Sequence, residues 1–173
     1  MTQRSILDSH RDVVIDGRPS GVVHVVQYKR SMGRSRQTPV IAAGGIVVRR
    51  KSKAAIAIVQ RKRDNAWVLP KGKIKPNEKP ITAAKREATE ETGCTVHVYE
   101  FLGVISYLSS GGPKITHFWR MQATRKIAKS LTDDIRAVEW LPLSRAIERL
   151  SLPHEQHFLR NVGRQALRKL PIM

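Results

Sequence analysis

Residues 72–94 read GKIKPNEKPITAAKREATEETGC. Glu87, Glu90 and Glu91 are spaced i, i+3 and i+4, so on a helix their carboxylates share one face. Like charges gathered in this way destabilise a bare helix. A hard divalent cation relieves them, because magnesium takes carboxylate oxygens and keeps waters for a phosphate partner. Arg86 precedes the trio and Glu78 lies eight residues earlier, a charge pair suited to tie the loop to the helix. Pro80 fits a first helical turn and Gly93 the position just past the end, whereas Lys79 is a poor N-cap. Ile81, Ala84 and Ala88 are expected to face a core. Taken alone, Arg-Glu-x-x-Glu-Glu also suits a solvated, charge-laced helix.

The whole stretch decides between these readings. Gly72, five residues, Glu78, seven residues, Arg86-Glu87, Ala88, one residue, Glu90-Glu91, one residue, Gly93 and Cys94 follow the Nudix box position by position. Small residues fill its two apolar places, Ala88 and Cys94. The chain thus resembles the Nudix hydrolases on a pattern with many constrained positions. The resemblance implies an α/β fold, the Nudix α/β/α sandwich with a mixed sheet. It also implies hydrolysis of a nucleoside diphosphate linked to another group, by water attack on phosphorus. By the same analogy Glu87, Glu90 and Glu91 are catalytic and hold magnesium or manganese, Lys71 adds a backbone carbonyl, and Glu78 with Arg86 is structural. Glu91 and Glu87 are the internal candidates for the general base. Asp133, Asp134 and Glu139 are outside candidates, although the first two also suit a turn and Glu139 a strand.

Immediately before the box, WVLPKGK resembles the branch that includes bacterial diadenosine polyphosphate hydrolases and mycobacterial MutT-like enzymes. GVISYLSSGGPKITHFWRM shares that wording and contributes Tyr107, Lys114 and His117. Parts of it are also shared with diphosphoinositol polyphosphate hydrolases. The substrate-binding candidates are Lys71, Lys73, Lys114, His117, Tyr107 and Trp67. For His117 a place in the core or on the surface competes with phosphate contact, and for Trp67 the core competes with a pocket wall.

Further out, IAAGGIVVRR and AAIAIVQRKR read as two strands joined by a basic turn at 51–53. After the box, residues 95–108 and 115–122 read as strands around Ser-Ser-Gly-Gly-Pro, and 137–141 as a shorter one. Helices are expected at 144–150 and 154–170, the latter with Leu159, Val162, Ala166 and Leu170 as its apolar stripe. Residues 1–40 read as an N-terminal extension: strand-like 13–15 and 22–28, then the basic linker KRSMGRSRQTP. It suits a hairpin packed on the core, a dimerisation arm or partial disorder. By the resemblance, residues 41–173 are expected to form the Nudix hydrolase domain.

Composition narrows the partners. With 32 Lys and Arg against 14 Asp and Glu, the formal charge is +18. Such a field concentrates anionic ligands and speeds their encounter. Polyphosphorylated nucleotides, inositol pyrophosphates and RNA all qualify, as does mere solubility or nonspecific adhesion to nucleic acid. The longest apolar run, 41–48, contains two glycines and falls far short of the ~20 residues that span a bilayer. MTQRSILDSHRD lacks the apolar segment of a secretory signal. The single cysteine, Cys94, cannot form an internal disulfide and reads as a small core residue. A cytoplasmic protein without a membrane partner is expected, its oligomeric state open and a homodimer among the options.

Two function classes remain. One is an enzyme cleaving a dinucleoside polyphosphate or nucleoside triphosphate, with an inositol pyrophosphate or RNA 5′ end as variants. The other is a catalytically silent, basic nucleic-acid-binding module on the same scaffold. Three clustered acids favour the enzyme, since a binding module does not need them. Few aromatics and no RNA-recognition motif weigh against the module.

Overall fold

The computed structural model describes residues 12–17, 23–28, 38–126 and 131–168. Most of the basic linker, at 29–37, and Leu170 lie outside them. The central run of the sequence gives β3 (Val40–Arg50) and β4 (Ala54–Arg61), antiparallel with Val48 opposite Ile56 and Arg50 opposite Ala54. β3 is apolar almost throughout because both of its faces are covered. Ala43 and Val47 meet one layer, while Ile46 and Val48 meet the other.

Strands β5 (Trp67–Val68) and β6 (Lys71–Lys73) follow. Helix α1 (Pro80–Thr92) comes next, then the long hairpin of β7 (Cys94–Ser109) and β8 (Gly112–Lys126). β9 (Ile135–Leu141), α2 (Leu143–Arg149) and α3 (Pro153–Ala166) complete the described chain. Near the N-terminus, β1 (Asp12–Gly17) and β2 (Val23–Tyr28) pair antiparallel. β2 then joins the sheet by running parallel to β7. The sheet order is β1-β2-β7-β8-β3-β4-β5, with β6 added on β3 and β9 on β4. Parallel β2–β7 and β3–β8 pairs among antiparallel ones make the sheet mixed.

Helix α1 covers one face, and α2 and α3 the other, giving the expected α/β/α sandwich. On the α3 side Phe118, Phe158, Leu159, Val162, Ile46 and Ile58 are wholly buried. The Phe118 and Phe158 rings lie 5.0 Å apart. Each such side chain contributes about 1.5–3 kcal/mol by burial. The α1 side is lined by smaller residues, Ala83, Ala84 and Ala88 against Ala43, Val47 and Ala57. Ile81 departs from expectation: it is 44% exposed beside Lys85, His97 and Val98, and Ala83 takes the buried place. Ile81 sits in the first turn, one turn ahead of the stripe that meets the sheet.

Both ends of α1 follow from sequence. Lys79 makes no side-chain cap, and Gly93 ends the helix at φ 66°, the left-handed conformation that glycine adopts without strain. At the far end of α3, Arg50 Nη2 donates to the carbonyls of Leu167 and Arg168 at 2.6 and 2.7 Å. Arg120 Nη2 donates to the Arg168 carbonyl at 2.9 Å, and cations there suit the negative end of the helix dipole. Cys94 is buried, as expected of a small core residue. No described helix is long and apolar enough to cross a membrane.

Candidate active site

The site is organised by the short strand β6. It pairs with β3 so that Gly44 opposes Lys71 and Ala43 opposes Gly72. Side chains alternate along a strand, so Lys71 is directed to the α3 face and Gly72 to the α1 face. There Gly72 supplies space. A Cβ at Gly72 would lie 2.1 Å from Glu87 Cδ and 2.3 Å from each carboxylate oxygen. The glycine therefore lets Glu87 rest against the strand backbone.

Glu91, one turn further along α1, takes the Lys71 backbone N–H on Oε2 at 2.9 Å. Burial pushes its carboxyl up to about 7; the Lys71 charge and N–H oppose the rise, and Glu87 and Glu155 add to it. Glu90 is the outermost of the three. Arg86 binds the cluster together. Its Nε and Nη2 donate to Glu78 Oε1 and Oε2 at 2.8 and 2.9 Å, its Nη1 donates to Glu87 and Glu90, and its Nη2 also reaches the Lys73 carbonyl. Glu78 also accepts the Lys75 N–H at 2.9 Å. The Arg86 hydrogen bonds, then that of Lys75, hold the Glu78 carboxyl down at about 2. The pair thus joins the loop to the helix, as the spacing suggested.

The donor set here is made of hard carboxylate oxygens, one of them buried and crowded by like charge. That chemistry fits magnesium or manganese. Among the described residues no three acidic, His or Cys groups are already drawn together closely enough to hold a metal ion. Arg86 bridges Glu87 and Glu90 instead, which compensates their charge.

The α3 face carries groups that the sequence reading did not reach. Glu155, in the first turn of α3, is fully buried. Its Oε1 lies 2.7 Å from Lys71 Nζ, and its Oε2 accepts the Leu69 N–H at 2.8 Å. Removing one partner of such a buried pair costs about 3–5 kcal/mol, largely by stranding the other charge. This corrects the expectation for Lys71 as a substrate contact. Its ammonium is committed to Glu155 and to the Leu69 carbonyl at 3.2 Å, leaving its backbone to the site.

Tyr107 stacks on His154 with ring centroids 4.1 Å apart. Burial, then Glu155, pushes its phenol up to about 12. The two rings line a cavity of about 300 Å³ with Arg61, Arg63, Asp64 and Ser109. Lys114 lies opposite Tyr107 in the β7–β8 register. It has no hydrogen bond or ion pair among the described residues. Burial and the surrounding Lys71, Arg63 and Arg61 lower it to about 8.

The Tyr107, Lys114 and His117 set is therefore divided. Lys114 and Tyr107 share the α3 face, whereas His117, an odd number of residues from Lys114, projects to the α1 face. Its ring lies 6.1 Å from Phe101 and 6.3 Å from Trp119. Trp67 is a core residue rather than a pocket wall: it is buried, and Arg149 sits 4.3 Å over its ring. Lys73 is exposed on β6. Asp133 and Asp134 occupy the turn before β9, where the Asp134 carbonyl accepts the Lys62 N–H. Glu139 is paired with Arg149 at 3.2 Å.

The missed residues had one readable signal. Extending the Leu159, Val162, Ala166 stripe backwards by four residues reaches Glu155, a carboxylate on an apolar face.

Known proteins resemble this chain in sequence and in fold. The chain is 34% identical over 105 residues to an 8-oxo-(d)GTP phosphatase of Mycolicibacterium smegmatis, a match covering 61% of this chain and 32% of that protein. It is 29% identical over 153 residues to the putative mutator protein MutT4 of Mycobacterium tuberculosis, covering 82% and 61%. The chain thus spans about a third of the first relative and under two thirds of the second. Among solved structures, a C. elegans Ap4A hydrolase binary complex superposes with a TM-score of 0.64 at 25% identity, covering 73% of this chain and 96% of that one. A MutT protein from Methanosarcina mazei shares the fold with a TM-score of 0.63 at 20% identity, over 78% and 100%. The model of the NUDIX domain matches residues 38–162, an interval that holds the acidic helix, β6 and the start of α3, and the chain belongs to that family.

Proposed function

We propose that this chain is a divalent-metal-dependent pyrophosphohydrolase. Its substrate is a nucleoside diphosphate linked to another group, in particular a dinucleoside polyphosphate or nucleoside triphosphate, attacked by water at phosphorus. One observation carries the reading: Glu87 and Glu91 converge on β6, while Lys114, without an ion pair among the described residues, waits on the opposite face among arginines. The relatives named as an 8-oxo-(d)GTP phosphatase and an Ap4A hydrolase support the substrate class. A lone, buried cysteine accords with a cytoplasmic setting.

Glu87, Glu90 and Glu91, with the Lys71 backbone, would hold magnesium or manganese. When bound, such a cation neutralises phosphoryl oxygens and acidifies the attacking water. The chain supplies the rest. Glu91 Oε2 is oriented by the Lys71 N–H, which leaves Oε1 to receive the proton from water. Lys114, Arg61 and Arg63 bind phosphates beyond the cleaved bond, and Tyr107 with His154 forms an aromatic wall beside them.

The test compares kcat/KM for diadenosine hexaphosphate, a nucleoside triphosphate and ADP-ribose, with magnesium, at two ionic strengths. Products are read by mass. The longer phosphate chains are expected to win, with a margin that narrows as the Debye length falls below about 10 Å. Preference for ADP-ribose at both salts overturns the substrate class. No turnover of any pyrophosphate overturns the hydrolase.

A further inference from the structure

Lys71 stands between two carboxylates and meets each with a different atom, one through a hydrogen bond and the other through an ion pair. Its backbone N–H goes to Glu91 Oε2 at 2.9 Å, and its ammonium goes to Glu155 Oε1 at 2.7 Å. Both charged side chains of the second contact are almost sealed from water, at 4% and 0% exposure. Lys71 is nevertheless the largest opposite charge acting on Glu91, so its ammonium lies within electrostatic reach of that carboxylate. A buried ammonium left without a partner is costly, and it gains by moving to a nearby carboxylate. Its stem of four carbons is flexible, and Glu91 is the acid that Lys71 already adjoins. An ammonium seated on Glu91 would compete with any divalent cation for the same oxygens.

We infer that Glu155 is a positioning residue that keeps the Lys71 ammonium away from Glu91, leaving that carboxylate available to a divalent cation. The inference rests on Glu91 being a metal ligand. It extends the site from α1 to α3 through one side chain. Glu155 is suited to the task because its second oxygen is fixed by the Leu69 N–H, so the carboxylate cannot follow the lysine. Leu69 and Lys71 flank Pro70, and Glu155 therefore grips both sides of the turn entering β6.

The experiment uses wild type, Glu155→Gln, Lys71→Met/Glu155→Gln and Glu91→Gln. For each, the magnesium concentration giving half of the metal-induced rise in Tm is measured, alongside the concentration that half-saturates activity and the KM for substrate. Glu155→Gln is expected to raise both magnesium midpoints about tenfold, within the range for residues supporting a metal site, while KM at saturating magnesium is unchanged. The double variant removes the competing cation and returns both midpoints to within about threefold of wild type. A purely structural ion pair also recovers its metal-free Tm once both charges are gone, but it predicts no displacement of the magnesium midpoints in Glu155→Gln; a double variant as impaired as Glu155→Gln overturns the inference. Unchanged midpoints in Glu155→Gln overturn it too. If Glu155→Gln alone does not fold, the double variant decides: midpoints near wild type support the inference, and a tenfold loss overturns it. A metal-induced rise in Tm that survives in Glu91→Gln overturns instead the assignment of Glu91 as a ligand.

Discussion

The two faces of the central sheet are built differently. Alanines line the α1 face, and the helix above it presents its acids toward β6 from one continuous segment, residues 78–91. On the α3 face the core is aromatic and aliphatic, and the polar groups come from the end of β4, the β7–β8 hairpin and the start of α3. Carboxylates gather on the first face and cations beside the second, with β6 exposed to both. The contrast suggests a division of work. On the proposed function, the α1 face would handle the reacting phosphorus and the α3 face would bind the remainder of the substrate.

The sharpest way to break that division is Glu91→Gln. It should lower kcat about 10²-fold or more while the protein still folds, because glutamine keeps the Lys71 N–H contact but loses the charge. Assays with magnesium and a thermal melt check it; activity near wild type would remove the α1 face from the chemistry. Next comes a paired substitution on β8. Lys114→Ala should raise KM for a nucleoside triphosphate about tenfold, the loss of a charge-assisted contact. His117→Ala, on the other face beside Phe101 and Trp119, should leave KM within about twofold. Equal effects would show that the sheet does not separate the two roles.

Arg86→Ala tests the coherence of the acidic face itself. It strands Glu78 and releases Glu87 and Glu90, so Tm should fall by a few degrees and kcat should fall with it. An unchanged melt would deny the structural role. The smallest expected effect is a pH slope measured in excess chelator. The folded Glu91 carboxyl keeps its proton up to about 7, against an ordinary value of 4.5. Between those values the folded state binds more protons than the unfolded one, so stability falls as pH rises. Tm should therefore decline from about pH 5 to 7 in wild type, and Glu91→Gln should flatten that segment. A decline of the same size in both would assign it to another group.

Much of the α1 face is written locally. Glu78, Arg86 and the three acids lie within fourteen residues, and helical spacing alone places them together. Gly72 is legible as part of the same pattern, although its reason is steric and needed the Glu87 carboxylate in view. The α3 face is not local. Lys71 and Glu155 are 84 positions apart, and no periodicity relates a β6 lysine to the first turn of a later helix. Glu155 also reads as an ordinary charge until the buried stripe behind it is extended. Ile81 shows the opposite error, where an apolar residue at helical spacing is left outside because the helix begins before the core does. The sequence wording groups His117 with Lys114, and strand alternation separates them.

The parallel pairing of β2 with β7 carries a consequence in time. Val23 lies beside Gly103, so β2 finds its neighbour only after 80 further residues have been made. Hairpins such as β7–β8 can zip from a nearby turn, whereas this pair must close a long loop before any bond rewards it. The β1–β2 ribbon can form early by itself but has no sheet to join until the β7–β8 hairpin exists. Docking of the ribbon is accordingly expected as the last event of assembly, and pulsed hydrogen exchange during refolding should show β2 amides protected after those of β8.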